Sequence, residues 1–333
     1  MNTRIKRSLL VAVVALSLTL AGCASGSING SSSSPSASSA SSAGTTTVSL
    51  GVFPSSGVAV FQLGINKGFF LKHGIDLQLT QGASSVAQLP ALSTGTLDFL
   101  LASPTTPLTG AAKGLDVKIV AGFAQNDPSQ IDDSTVIVVG KNSTITRPKS
   151  LEGKTVSVNA LGGIGQLGVE EIVSKDGGDP SKVKFVQLAL NDVPAQIASG
   201  QIDAGMTGAP FSDQVVAAGG KILSDYINQI GVGKAELVIA GSGKFISSNP
   251  AAVKNFVAAL NDTYAYATDH HSEVSDLLPS ILGIPAAAAQ HTVYEFWSTD
   301  VNRPALETFD KLLVKYGVIS KPANLDKVIY QAK

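Results

Sequence analysis

Gln88-Leu-Pro-Ala-Leu-Ser-Thr-Gly-Thr-Leu-Asp98 and Val193-Pro-Ala-Gln-Ile-Ala-Ser-Gly-Gln-Ile-Asp203 are two copies of one pattern. The first runs into Phe99-Leu-Leu-Ala-Ser-Pro104 and reaches Ala111-Ala-Lys-Gly114. The second runs into Ala204-Gly-Met-Thr-Gly-Ala-Pro210 and reaches Ala217-Ala-Gly219. Gly95 and Gly200, Asp98 and Asp203, and Gly114 and Gly219 are each 105 residues apart. A shared offset over three Gly or Asp positions marks an internal duplication rather than α/β monotony. Each copy reads as a helix with a Gly C-cap, an Asp, a buried strand, and a Pro-marked loop opening the next helix. Two such units predict two lobes built alike, with equivalent loops facing each other.

Outward from the repeat, apolar β-rich runs alternate with helical patterns and Gly/Ser/Pro turns. Residues 47–53, 75–80, 99–102, 117–123, 134–139, 155–159, 184–189, 204–207 and 235–241 read as short strands. Helical spacing fills 58–73 and 165–175, and the quarter 249–333 is almost wholly helical in pattern. This alternation predicts an α/β chain with a mostly parallel sheet and helices on both faces.

The amino terminus reads as an address. Arg4, Lys6 and Arg7 precede the apolar run 9–20, and Leu20-Ala21-Gly22-Cys23 closes the segment. A short apolar run behind positive charges is a secretory signal rather than a spanning helix. Leu, two small residues and Cys resemble the lipobox of bacterial lipoproteins, which implies cleavage before Cys23 and its diacylation. At about 0.8 kcal/mol per buried CH₂, two acyl chains anchor stably. Residues 24–46 hold eleven Ser, no charge and one large apolar side chain, Ile28. Such a stretch cannot offset its ordering entropy and reads as a leash of about 25–30 Å rms reach.

Composition excludes several classes. The 333 residues carry 24 Lys+Arg against 25 Asp+Glu, and 15% are charged, below the roughly 25% usual in soluble domains. Without its leader the chain loses three cations and becomes mildly acidic. That argues against a nucleic-acid partner. One Cys rules out a disulfide framework and Cys-rich metal sites. No apolar run reaches the roughly 18 residues of a bilayer span.

Asn66-Lys-Gly-Phe-Phe-Leu-Lys-His-Gly-Ile-Asp-Leu77 resembles the early G-F-F-x-x-x-G-I/L-D-V/L element of one group of ABC-importer solute-binding proteins, that of nitrate/sulfonate/taurine and thiamine-pyrimidine binders. Lys149-Ser-Leu-Glu-Gly-Lys-Thr-Val156 is similar to its L-x-G-K-x-V/I entry into the second lobe, and the Gly-x-Leu/Ile-Asp runs, Trp297 and Tyr316-Gly-Val318 also fit. The resemblance covers about 48–328 and implies a two-lobed periplasmic-binding-protein-like fold with two interlobe crossovers, near 134–140 and 234–242. Lobe one is then 47–135 plus 242–333, and lobe two 140–235. It further implies a monomer, lipid-anchored on the outer face of the cytoplasmic membrane and serving a permease with ATPase subunits.

Ligands of open parallel sheets bind beyond the carboxyl ends of the strands. The loops there offer Ser55, Ser56, Ser84, Ser85, Ser103 and Thr105 from lobe one. Lobe two offers Asn159, Gly163, Gly165, Gln166, Asp192 and Thr207. Hydroxyls, amides and helix N-termini hold an anion without Lys or Arg, so a sulfonate- or nitrate-like oxyanion is the expected solute. Each Ser or Thr can equally be an N-cap serving its own helix. Asp127 and Asp192, the acidic residues of these loops, suit an aminated ligand such as a thiamine-type pyrimidine, or simply a solvated turn.

Gly163-Ile-Gly165-Gln-Leu-Gly168 matches a dinucleotide fingerprint and supports a rival reading as an exported enzyme. It lies inside a repeat unit rather than at a domain start, which weighs against it. A phosphate loop at Gly153-Lys154-Thr155 fails because Pro148 replaces its first Gly, and no Gly-x-Ser-x-Gly occurs. Asp269-His270-His271 with Glu273 reads as a solvated helix face rather than a metal site. Tyr264, Tyr266, Tyr294, Phe296 and Trp297 read mostly as helix packing, with one of them a candidate for the mouth of the cleft. The expectation is therefore a binder, with neither catalysis nor a cofactor.

Overall fold

A computed structural model describes residues 44–126, 135–290, 292 and 294–331. The leader, Cys23, most of the linker, Asp127 and His291 lie outside the described residues. Among the described residues eleven strands run in order: Thr46–Val52 (β1), Ile75–Gln81 (β2), Phe99–Ala102 (β3), Val117–Gln125 (β4), Val136–Val139 (β5), Thr155–Val158 (β6), Lys184–Gln187 (β7), Ala204–Thr207 (β8), Lys221–Ser224 (β9), Leu237–Ser242 (β10) and Phe296–Trp297 (β11). They form two sheets, β11-β4-β10-β3-β1-β2 and β7-β6-β8-β5-β9. The chain changes sheet twice, between β4 and β5 and between β9 and β10.

One expectation needs correction: neither sheet is mostly parallel throughout. β3, β1 and β2 are parallel, as are β8, β6 and β7. β10 runs antiparallel to β3 and β4, and β5 antiparallel to β8 and β9. β5 and β10 are the strands that receive the chain from the other sheet. They arrive without the helical crossover that a parallel neighbour requires. The pattern also missed β9, a short edge strand behind Gly219 and Gly220, and the two-residue β11 in the otherwise helical last quarter.

The repeat is visible in the hydrogen bonds. Ser49 N–H donates to Asp98 Oδ2 at 2.8 Å, and Thr155 N–H donates to Asp203 Oδ2 at 2.8 Å. Asp98 N–H returns to Ser49 O, and Asp203 N–H to Thr155 O. Each Asp thus ties β3 or β8 to its parallel neighbour at the same point. Gly95 and Gly200 take φ of 75° and 72°, where a side chain is strained, and end the preceding helices.

Two large cores result. Beside the first sheet, the helices Gly57–Asn66 and Pro250–Asp269 pack Phe61 on Phe123 (5.0 Å between centroids) and Phe256 on Phe99 (4.2 Å). Beside the second sheet, the helix Ile164–Lys175 buries Leu167 and Ile172 with Val156, Val158 and Tyr226. The C-terminal helix Arg303–Lys315 adds Leu306, Phe309 and Leu313 to that second core, which also takes in Leu108 and Ile119 from the first sheet's side. At its end Lys315 and Tyr316 both reach Glu171 Oε2, at 2.6 and 2.7 Å. Burial pushes the Glu171 carboxyl up, but these two bonds bring it below its ordinary value.

Candidate functional site

The loops at the strand ends enclose a cavity of about 60 Å³ between the two sheets. From the first sheet's side come Phe53, Ser55, Ser56, Ser85, Ser103, Thr105, Thr106 and Glu295. Asn159, Gly163, Leu190, Met206 and Phe211 come from the second, and Thr135 and Glu236 from the segments that cross between sheets. The helices Gly57–Asn66, Ser85–Thr94, Thr105–Ala112 and Ile164–Lys175 all begin at this cavity. Their positive ends therefore converge on it. Of the four, only the Ser85–Thr94 helix has a side-chain cap.

Seven of the twelve expected positions line the cavity: Ser55, Ser56, Ser85, Ser103, Thr105, Asn159 and Gly163. Ser85 and Thr106 share a hydroxyl bond of 2.9 Å, and Ser103 and Thr105 one of 3.1 Å. The hydroxyls are thus held in pairs that can turn as donors toward an occupant.

Five expected positions do not reach it. Ser84 is the cap itself, accepting from Ala87 N–H at 3.2 Å. Gly165 is a packing glycine, since a Cβ there would overlap Met206 Sδ. Gln166 turns back, accepting from Gly162 N–H at 2.9 Å and donating to Glu170 at 3.0 Å. Burial pushes the Glu170 carboxyl up. Asp192 is exposed in the short turn Leu190–Asp192. Thr207 donates its hydroxyl to Leu190 O at 3.0 Å. Ser84, Gln166 and Thr207 are thus taken up by backbone groups, Gly165 by packing, and Asp192 faces solvent.

The sequence reading missed Thr135, Glu236 and Glu295. Thr135 and Glu236 fall in the stretches assigned to hinges, and Glu295 in the quarter read as helical packing. Glu236 is 3% exposed and Glu295 9%. Thr135 Oγ1 donates to Glu236 Oε1 at 2.5 Å. Among the described residues no Lys or Arg lines the cavity, and the ionisable side chains that do are the carboxyls of Glu236 and Glu295. The rings at the wall are Phe53 and Phe211, not the aromatic residues of the last quarter. His270 stacks on Tyr266, and Glu273 accepts from Tyr266 and pairs with Lys67 at 2.7 Å, so that acidic and imidazole run serves its own surface. Of the dinucleotide-like glycines only Gly163 lines the cavity; a Cβ on Gly168 would overlap the Tyr226 ring.

Comparison with known proteins agrees with this architecture. The fold is similar to that of the alkanesulfonate-binding protein SsuA from Xanthomonas axonopodis pv. citri bound to MOPS, with TM-score 0.74 at 16% identity over 87% of this chain and 100% of that one. The periplasmic nitrate-binding protein NrtA from Synechocystis PCC 6803 gives TM-score 0.67 at 17% identity, over 85% of this chain and 84% of that one. The desulfurization enzyme DSZB gives TM-score 0.58 at 18% identity, over 85% of this chain and 96% of that one. No match was found among curated proteins. At these identities the likeness establishes the periplasmic-binding-protein fold. A family model described as NMT1/THI5 like matches residues 56–274, about two-thirds of the sequence. The chain belongs to the NMT1/THI5-like family.

Proposed function

We propose that the protein is the solute-binding lipoprotein of an ABC importer. It captures a small solute between lobe one (47–135 and 242–333) and lobe two (140–235) and hands it to a permease. Cys23 carries the anchor and 24–46 the leash, which keeps the body on the outer face of the cytoplasmic membrane. Among the described residues no helix is long and apolar enough to cross a membrane. The observation that carries the reading is the cavity itself, walled by both sheets and by both crossing segments. Only a solute touching both sides can favour the closed arrangement, because a shift requires differential affinity. No bond is made or broken in this function.

The lining narrows the solute. Four helix starts and the hydroxyls of Ser55, Ser56, Ser85, Ser103 and Thr105 suit an oxyanion, as the sequence led one to expect. Glu236 and Glu295 repel a bare anion and attract a donor or cationic nitrogen. The reading that uses both halves is an oxyanion carrying an amino group, an aminosulfonate being the simplest. A second reading, favoured by the same two carboxylates and by Phe53 and Phe211, is an aminated pyrimidine ring.

Melting curves with nitrate, an alkanesulfonate, its ω-amino analogue and an aminopyrimidine test this. A ligand at 100 times its Kd adds about 2.7 kcal/mol of stability, a shift of several degrees. The amino analogue is expected to shift melting more than the plain sulfonate, and Glu236→Gln to erase that preference. A shift by the pyrimidine alone selects the second reading. No shift with any small solute in a broader screen overturns the binding function.

A further inference from the structure

Phe211 opens the helix Phe211–Ala217, with one residue between it and the cavity-lining Gly208 and Ala209. It is 6% exposed. On one side its ring lines the cavity beside Leu190 and Met206. It also belongs to the apolar core of the first sheet, as that core's one buried member from the described residues 135–236, with the partly buried Leu190 packed against the same core. A separate groove is lined by Phe211, Asn191 and Gln214 from the second sheet's side and by Leu282, Ile284 and Pro285 from the first's. Ile284 and Ala289 belong to the same core as Phe211 and are 7% and 0% exposed. The ring therefore lines both cavity and groove, and it shares the groove with Leu282, Ile284 and Pro285 from the other side.

The other large apolar link between the two sides is the core shared by the C-terminal helix, β4 and the second sheet. Phe211 has no part in that core. Parting the sides would draw the Phe211 ring out of its partners and expose it to water, at the cost that attends an unburied aromatic. A cavity of about 60 Å³ lies well below the ~300 Å³ lower end of typical ligand pockets. A solute larger than a few atoms thus needs some part of the lining to give, and the Phe211 ring is part of that lining.

We propose that Phe211 is the clasp that couples solute binding to closure: it holds the sides together through the 282–289 segment and is touched directly by the solute. This rests on the proposed solute-binding function, in which the two sides move apart to admit the ligand.

The test starts without ligand. Leu71→Cys and Val186→Cys, both at exposed positions on opposite sides, carry distance labels in the full chain with Cys23→Ser. Phe211→Ala and Ile284→Ala are each expected to move the distance distribution toward separation, changing the open-to-closed ratio about tenfold or more. Ile284 does not line the cavity, so its variant reports the clasp alone. Phe211→Leu is expected to restore most of the closed population, and the double alanine variant to add little beyond either single one. Unchanged distances in folded Ile284→Ala and Phe211→Leu/Ile284→Ala chains overturn the clasp. With an aminosulfonate as probe, weaker binding in Ile284→Ala is expected to match the lost closure. Failure of that probe to bind the parent chain counts against the solute proposed above and leaves the ligand-free distances to decide the clasp.

Discussion

Asp98 and Asp203 illustrate what a repeated residue can mean. Both are conspicuous carboxylates beside the predicted ligand loops, yet each accepts the backbone N–H of a neighbouring strand. Asp98 also accepts from Ser49 Oγ at 2.8 Å. Hydrogen bonds to a charged acceptor are worth about 1.5–3 kcal/mol when one partner is removed. Asp98→Ala is therefore expected to lower unfolding free energy by about that amount in denaturant titrations, while solute affinity per folded molecule stays unchanged. A large affinity loss without a stability loss would place Asp98 in the site instead. Ser84 and Ser85 make the complementary point: adjacent residues of one type divide between capping a helix and lining the cavity.

The 164–175 helix shows a whole element held at both ends. Gly163 brings its start to the cavity, while Gly165 and Gly168 let it sit against Met206 and Tyr226. At its other end, Asp176 takes the Arg147 guanidinium and Lys149 N–H, the latter at 2.8 Å. The Arg147 bonds, then the backbone bond, hold the Asp176 carboxyl at about 2 against an ordinary 3.8. A folded-state value below the unfolded one adds stability above pH about 4, which is lost as pH falls toward 2. Asp176→Asn is expected to flatten the acid limb of stability between those values, measured by denaturant melts at low salt. High salt should weaken the contrast, because the pair stands at the surface. An acid limb identical in the variant would show that this contact adds nothing.

At the scale of the molecule, the proposed attachment can be tested apart from the body. Residues 24–46, the proposed leash, carry no charge and one large apolar side chain, Ile28, so the proposed anchor is Cys23. Cys23→Ser in the expressing cell is expected to move the protein from the membrane fraction to the soluble one, with an unchanged melting temperature. Continued attachment would overturn the lipoprotein reading. The body in turn depends on segments far apart in sequence. Glu171 meets Lys315 and Tyr316 across more than 140 positions, and Glu236 meets Thr135 across 101.

Much of the framework was legible because its determinants are local. Gly95 and Gly200 stop their helices through backbone conformation, and the apolar runs after Asp98 and Asp203 become fully buried strands. Seven cavity positions were legible for the same reason: a short polar loop between a strand and a helix start has few places to go. Strand direction was less legible, because β5 and β10 take theirs from the change of sheet rather than from their own residues.

What the sequence determined by itself was the duplicated α/β plan, its caps and the polar loops at the strand ends, each decided by sterics and hydrogen bonding within about fifteen residues. Only the tertiary structure decided that Glu236, Glu295 and Phe211 join those loops at one cavity. Their side chains are neither unusual in type nor placed in a motif. They meet because the chain crosses between sheets twice and its last quarter folds back, and contacts made by that packing leave no local periodicity to read.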